Sequence, residues 1–139
     1  MQVSVAVLFA SLLAASFSTS TFDPIGVWKT PVDEGLIRIE RCGADICGRP
    51  AGSARLRTTP DQRDVMNKDP ALRGRLIKDI LIFKLRPTGP GHWGKGTIYN
   101  PNDGGTYSAE ITLAGPAQLR LKGCVAPLLC QTQTWKRAE

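Results

Sequence analysis

The sequence predicts an all-β protein, an antiparallel up-and-down barrel of about eight strands with one long arginine-rich loop. Short runs in which apolar and polar residues alternate recur along the chain, and turns rich in Gly, Pro, Asn and Asp separate them. Beyond residue 20, no run has the length and period of an ordinary helix. Because strands in a meander can close on themselves, a barrel of this kind leaves no exposed sheet edge.

The clearest strand signal is a hairpin between residues 93 and 113. Residues 93–100 and 107–113 alternate with a period of two and are rich in aromatic and β-branched side chains. The turn at 101–105 consists of Pro, Asn, Asp and Gly, which are the residues that turns favour. This stretch is therefore predicted to form two neighbouring strands of the barrel.

Three side chains of this hairpin, Tyr99, Asp103 and Tyr107, are candidate ligand-binding residues, because two phenols flank a polar turn. The alternative is a structural turn, in which Asn, Asp and Gly set the backbone angles and the tyrosines pair across the strands. Both interpretations remain open from the sequence.

Six further strands complete the predicted barrel. They are expected at residues 25–30, 36–42, 46–51, 76–85, 118–124 and 130–137. The connection 52–74 lacks a two-residue period, and a loop of this length is usually functional or mobile. Within it, residues 69–73 predict one helical turn, and the prolines and glycines of residues 86–91 predict a turn after the strand.

The chain begins with an uncharged, apolar stretch. Residues 1–20 predict a secretory signal peptide, which leaves residues 21–139 as a single domain. The apolar run from Val3 to Ala15 is shorter than the ~20 residues of a membrane-spanning helix, so we expect no stable span after cleavage. A membrane anchor is the minority alternative.

Four cysteines, Cys42, Cys47, Cys124 and Cys130, form two close pairs in a chain that is predicted to be exported. Two local disulfides are favoured because they need the least assumption, although spacing alone leaves three connectivities open. Zinc is the alternative, but the gaps do not match a zinc motif and His92 is the single histidine. We therefore expect no metal and no cofactor.

Several segments, taken in order along the chain, resemble the DUF2147 family of small exported bacterial proteins. They are Ile25–Trp28, Cys42–Arg49, Asn67–Arg75, Gly96–Tyr107 and Thr132–Trp135. The resemblance implies a lipocalin-like barrel and a periplasmic or secreted location in a Gram-negative bacterium. It implies no biochemical activity, because the family has none established.

Gly26 and Trp28 near the start and Arg137 near the end are similar to the lipocalin signature, in which a first-strand Trp packs under an Arg from the last strand. This similarity implies that Trp28 and Arg137 close one end of the barrel through a cation–π contact. The alternative is an ordinary core tryptophan and an unrelated surface arginine.

Positive charge is concentrated in one part of the chain. The formal net charge is +6, and eight basic residues face three acidic ones between Arg49 and Lys78. Arg73 and Arg75 flank a glycine, so their guanidinium groups are candidates to bind a carboxylate or phosphate. Together with Arg55, Arg57 and Arg63 of the same loop they would form a basic lip at the barrel mouth. The alternative is that these arginines pair with Asp61, Asp64 and Asp69.

Catalytic and nucleic-acid functions find little support. His92 has no nucleophile placed beside it, no pair of carboxylates stands out, and aromatic residues do not interleave with the basic ones. The sequence therefore predicts an exported, non-enzymatic protein that binds a small amphiphile or an anionic envelope component. The alternative is a filled-barrel structural or interaction protein of the cell envelope without a small-molecule ligand. The oligomeric state does not follow from the sequence.

Overall fold

The computed structural model of the chain describes residues 2, 6, 10–14 and 23–138. Much of the predicted signal peptide, residues 1–20, and the predicted start of the domain at residue 21 lie outside the described residues. In the part of the chain that is described, no helix is long and apolar enough to span a bilayer.

Eight antiparallel strands form a closed up-and-down barrel, which confirms the predicted fold class. Each strand pairs with the next one along the chain, and β1 pairs with β8 to close the barrel. The strands are β1 (Gly26–Lys29), β2 (Leu36–Cys42), β3 (Asp45–Gly52), β4 (Phe83–Gly89), β5 (His92–Asn100), β6 (Gly105–Leu113), β7 (Gln118–Ala126) and β8 (Leu129–Arg137).

The meander gives the barrel two different ends. The β2–β3, β4–β5 and β6–β7 turns lie at the end where the chain enters β1 and leaves β8, and we call this the closed end. The other four connections lie at the opposite end, which we call the open end. They comprise residues 30–35, 53–82, 101–104 and 127–128. The long connection therefore belongs to the open end.

Large apolar side chains fill the closed half of the barrel. Those with almost no exposed surface include Trp28, Ile39, Ile46, Phe83, Leu85, Ile111 and Leu119. Gly48 lies under the ring of Phe83, because a Cβ added to Gly48 would stand 2.2 Å from the Cε1 atom of that ring. The small residue thus makes room for the large one, and this half of the barrel is a packed core.

Trp28 and Arg137 lie opposite each other in the β1–β8 pair and make the contact that the lipocalin resemblance implies. The guanidinium carbon lies 4.3 Å from the centroid of the Trp28 ring. Arg137 also donates hydrogen bonds to the carbonyl oxygens of Asp23, Ile25 and Pro116, at 2.6, 2.8 and 2.7 Å. The indole nitrogen of Trp28 donates to the carbonyl of Pro24 at 2.8 Å. One arginine therefore ties the β6–β7 turn to the chain leading into β1.

The predicted strand at residues 76–85 is wrong in its first part. Residues Ile77–Asp79 form a 3-10 helix, and β4 begins only at Phe83. Ile77 and Ile80 are both buried, a spacing of three that suits a 3-10 turn, since residues three apart share a face. The buried positions of this apolar run do not follow a two-residue period, because the run packs onto the core and does not join the sheet.

The predicted turn at residues 86–91 is also too long. Strand β4 continues to Gly89, and the reversal is confined to Pro90 and Gly91. Two register irregularities occur along the β4–β5 pair, one of them between Pro87 and Gly89. Proline is tolerated in a strand at such bulges, because the missing N–H is not needed by the ladder there.

Two further short helical segments lie in the long connection, in addition to the 3-10 helix at Ile77–Asp79. Helix α1 (Ala54–Thr58) begins at Ser53, whose side-chain oxygen accepts a hydrogen bond from the Leu56 amide at 3.0 Å. The predicted helical turn at residues 69–73 is confirmed as a 3-10 helix at Pro70–Leu72, with Asp69 as its N-cap. Neither segment has the length of an ordinary helix.

Both predicted disulfides are present. Cys42 is bonded to Cys47 across the β2–β3 hairpin, and Cys124 is bonded to Cys130 near the tip of the β7–β8 hairpin. In the described part of the chain no cysteine is left as a free thiol that could bind zinc. The bonds are local staples, one at each end of the barrel.

The contact at the closed end yields a stability prediction. Trp28→Ala should lower the free energy of unfolding by about 3 to 5 kcal/mol, because it leaves a cavity where the side chain is 0% exposed. Denaturant titration measures the loss, and Lys29→Ala, at the next and outward-facing position, is the control expected to stay within about 0.5 kcal/mol. A loss below about 1 kcal/mol for Trp28→Ala would contradict a core role for this residue.

Candidate functional site

The open half of the barrel contains a cavity of about 760 Å³. Trp135 lies at its base, where its ring centroid is 6.5 Å from that of Phe83 in the packed half. Apolar side chains of the strands and of the long connection line much of the wall. They include Ile37, Leu56, Ile77, Ile82, Ile98 and Leu121. The barrel is therefore filled at one end and hollow at the other.

The long connection contributes to the mouth of this cavity through helix α1. The backbone amides of Ala54 and Arg55 donate hydrogen bonds to Asp33 of the β1–β2 connection, and Arg57 forms an ion pair with Glu34. The half-buried side chain of Leu56 packs against the hydrophobic core. The helix is thus fastened across one side of the mouth.

Few charged residues line the cavity. Among the lining residues these are Asp33, Arg55 and Asp103, so two carboxylates face one guanidinium. Arg55 belongs to the arginines that the sequence assigned to a basic lip, and its side chain is exposed at the rim. The rim is consequently not a basic surface, and its formal charge is slightly negative.

Asp103 and Tyr107 meet at the β5–β6 turn. The Tyr107 hydroxyl donates a hydrogen bond to Asp103 Oδ2 at 2.6 Å, and the Gly105 amide donates to Oδ1 at 2.7 Å. The hydrogen bond to Asp103 raises the pKa of Tyr107, with smaller contributions from burial and from the charge of Asp103. This pair therefore stabilises the turn and also presents a polar edge to the cavity.

Two glutamines, Gln131 and Gln133, place amide groups on the β8 side of the cavity. Gln133 accepts a hydrogen bond from the indole nitrogen of Trp135 at 3.0 Å. Neither residue is among the site residues predicted from the sequence. The signal was present, because they share the two-residue phase of buried Trp135, and side chains of alternate residues point to the same face of a strand.

Tyr99 is joined to a buried carboxylate of the long connection. Its hydroxyl donates to Asp64 Oδ1 at 2.5 Å, while Asn67 and Arg75 donate to Oδ2 at 2.9 and 3.0 Å. The Asp64 side chain is 0% exposed. We call Asp64, Asn67, Arg75 and Tyr99 the Asp64 network. It holds residues 64–75 against the barrel wall at β5.

The network changes the acidity of two of its members. Burial tends to raise the pKa of Asp64, but the hydrogen bonds from Tyr99, Asn67 and Arg75 and the charge of Arg75 outweigh burial and hold the pKa below its ordinary value. Burial together with the hydrogen bond to Asp64 raises the pKa of Tyr99 to about 12. Asp64 is therefore an anion and Tyr99 a neutral donor at neutral pH.

The structure separates the candidate ligand-binding residues into two groups. Tyr99, Asp103 and Tyr107 line the cavity, whereas Arg73 and Arg75 do not. Arg75 is occupied by Asp64 and stacks over Tyr99 at 5.3 Å, and the Nε of Arg73 donates to the Asn67 carbonyl at 2.7 Å. The pairing of loop arginines with loop carboxylates thus holds for Arg75 and Asp64. A ligand-binding role of these five residues stays a prediction.

The Asp64 network yields a pH-dependent prediction. Asp64→Asn should lower the free energy of unfolding at pH 7 by about 1 to 3 kcal/mol, because the buried donors lose a charged acceptor. A carboxyl group whose folded-state pKa is lowered stabilises the fold above its unfolded pKa of about 3.9, and this stabilisation is lost as the pH falls through the folded pKa.

Denaturant titrations at a series of pH values measure this effect. The difference between the natural protein and Asp64→Asn should be constant above about pH 5 and shrink below about pH 4. Asp61→Asn, which changes an exposed neighbour, is the control expected to show no such difference. Equal stability of the natural protein and Asp64→Asn at pH 7 would contradict the role of the network.

Comparison with known proteins gives one structural neighbour and one family. The protein HP1028 from the human pathogen Helicobacter pylori, described as belonging to the lipocalin family, has a TM-score of 0.76 with this chain, at 20% sequence identity. The match covers 86% of this chain and 85% of the other, and at this identity it shows the fold alone. A search of curated proteins returned no match. The family model described as "Uncharacterized protein conserved in bacteria (DUF2147)" matches residues 26–137, so the chain belongs to the DUF2147 family, as its sequence motifs predicted.

Proposed function

We propose that this protein is an exported, non-enzymatic binding protein that holds a small amphiphilic molecule in the open half of its barrel. The observation that carries the proposal is the cavity of about 760 Å³ with an apolar base and a polar rim. Small-molecule sites typically measure about 300 to 1,000 Å³, and an eight-stranded barrel is wide enough for one such ligand.

The distribution of side chains supports one orientation for such a ligand. Its apolar part is expected to lie against Ile98, Leu121 and Trp135, where burial of hydrocarbon contributes about 25 cal/mol per Å². Its polar part is expected at the rim, beside Arg55, Tyr107 and the amide groups of β8. Since carboxylates outnumber the guanidinium at the rim, a neutral or zwitterionic polar group fits this site better than an anionic one.

Two further observations support the export and binding parts of the proposal. The two disulfides are typical of an oxidising compartment such as the periplasm or the extracellular medium. The lipocalin-like fold of the structural neighbour is a fold that commonly serves binding. We therefore expect the ligand to be derived from the cell envelope.

A second candidate function is a protein of the cell envelope that docks a partner and holds no small molecule. It is favoured by the exposed apolar tip of the β7–β8 hairpin, where the Leu128 side chain is 95% exposed and Val125 and Leu129 are also exposed. The disulfide between Cys124 and Cys130 staples this tip. Contiguous exposed apolar residues of this kind often mark interaction sites.

Native mass spectrometry separates the two candidates. Protein purified from a periplasmic extract without reductant should carry an extra mass that leaves on gentle activation, and the protein itself should lack the four hydrogens of two disulfides. Titration of the stripped protein with the apolar fluorophore N-phenyl-1-naphthylamine should then saturate. A protein without extra mass that also fails to bind this probe would contradict the carrier function and favour the docking function.

A cavity-filling substitution tests the location of the site. Gly123 lines the cavity, and a Cβ added there would meet Tyr107 Cβ at 3.7 Å, which is ordinary van der Waals contact. Gly123→Leu should therefore occupy the cavity, weaken binding of N-phenyl-1-naphthylamine by about tenfold or more, and leave the fold intact.

The matched control is Lys122→Leu, which adds the same side chain at the neighbouring exposed position of β7. This control should bind the probe as the natural protein does. Equal affinities of both variants and the natural protein would show that the probe binds outside the barrel.

A further inference from the structure

We propose that a second site, separate from the cavity, binds a phosphate or carboxylate group in a groove on the outer face of the barrel. The groove lies between residues 67–81 of the long connection and strands β4–β6, and its volume is about 690 Å³. It goes beyond the proposed function, because its chemistry is that of an anion site and not that of an apolar pocket.

The strand register places polar side chains together along the floor of the groove. Lys84 of β4 pairs with Thr97 of β5, and Tyr99 of β5 pairs with Thr106 of β6. All four line the groove. Directly paired residues on one face have Cβ atoms about 4.5 to 5.5 Å apart, so the side chains of Lys84 and Thr97 are immediate neighbours. Thr106 is the diagonal neighbour of Thr97, with a separation of about 7 to 8 Å, so it flanks the same stretch of the floor.

Arg75 is a cation of this groove that two contacts hold in place. Its Nε donates to buried Asp64 at 3.0 Å, and its guanidinium carbon lies 5.3 Å from the centroid of the Tyr99 ring. Among the described residues the guanidinium has no other hydrogen-bond partner, which leaves its terminal nitrogens available as donors. The hydrogen bond to Asp64 and the stacking on Tyr99 already fix the orientation of this guanidinium. It therefore loses little conformational freedom when it binds an oxyanion.

The charge balance of the groove is opposite to that of the cavity. Lys68, Arg75 and Lys84 line the groove against one lining carboxylate, Asp69, which already accepts a hydrogen bond from the Ala71 amide. Asp64 lies behind Arg75 and offsets part of its charge. The ammonium of Lys84 is also 4.0 Å from Asp45, but this pair is at the outer limit of an ion pair and contributes little. An excess of cations therefore remains.

The groove is lined by hydrogen-bond donors that suit an oxyanion. They are the ammonium groups of Lys68 and Lys84, the guanidinium of Arg75 and the hydroxyls of Thr97 and Thr106. Phosphate and carboxylate groups present several acceptor oxygens at once, so they match this set. The groove thus accounts for the anionic partner that the arginine-rich loop predicted, although it places that partner outside the barrel mouth.

Amide NMR titration with inorganic phosphate at constant ionic strength tests the site. Saturable shifts are expected at Lys68, Thr97 and Thr106, and the double variant Lys68→Gln/Lys84→Gln should weaken binding by about tenfold or more. The control Lys122→Gln/Lys136→Gln removes the same charge from exposed positions of β7 and β8 and should bind as the natural protein does.

Two outcomes would overturn the proposal. One is the absence of saturable shifts in the groove, and the other is equal weakening by both double variants, which would indicate general charge screening. A parallel arm distinguishes the source of the anion by sedimentation with phosphatidylglycerol vesicles. Vesicle binding that only the groove variant loses would assign a lipid headgroup, whereas phosphate binding without vesicle binding would assign a soluble anion. Both of these results support the groove.

Discussion

Closure of the barrel depends on the short pairing of β1 with β8, because β1 has only four residues to close the sheet. The Arg137 side chain strengthens this seam by lying over Trp28 and by donating to three backbone carbonyls at the closed end. The Trp28 ring is fully buried, which strengthens its cation–π contact with Arg137, and the positive charge of Arg137 strengthens its hydrogen bonds to the carbonyl oxygens. This pairing joins the first and last strands and so turns the eight-stranded sheet into a closed barrel.

The filled and hollow halves of the barrel follow from the size of the inward side chains. Trp28 and Phe83 fill the closed half, and Trp135 lies between this half and the cavity. The absence of a side chain at Gly48 leaves room for the ring of Phe83. Towards the open end the inward positions carry Gly123 and flexible glutamines, which leave volume unoccupied. Packing is thus concentrated in the half of the barrel that contains the seam, and the cavity lies towards the open end.

The buried Asp64 carboxylate decides where the long connection goes. Its bond with Tyr99 joins residues 35 apart in the sequence, and this bond draws residues 64–75 onto the outer face of β5. Arg73 and Arg75 are thereby held by Asn67 and Asp64 outside the cavity, while Arg55 of helix α1 lies at the rim. One buried acceptor thus separates a nearly neutral cavity from a cationic groove.

The sequence by itself predicted the eight strands from local alternation and favoured the two local disulfides from their short spacing, while the similarity to the lipocalin signature implied the Trp28–Arg137 contact. It misplaced the start of β4, because an apolar run does not show whether it joins a ladder or packs on a core. Only the tertiary structure decided the positions of Arg73 and Arg75, the hollow half of the barrel and the outer groove. These features depend on contacts between distant residues, which neither periodicity nor charge density along the chain reports.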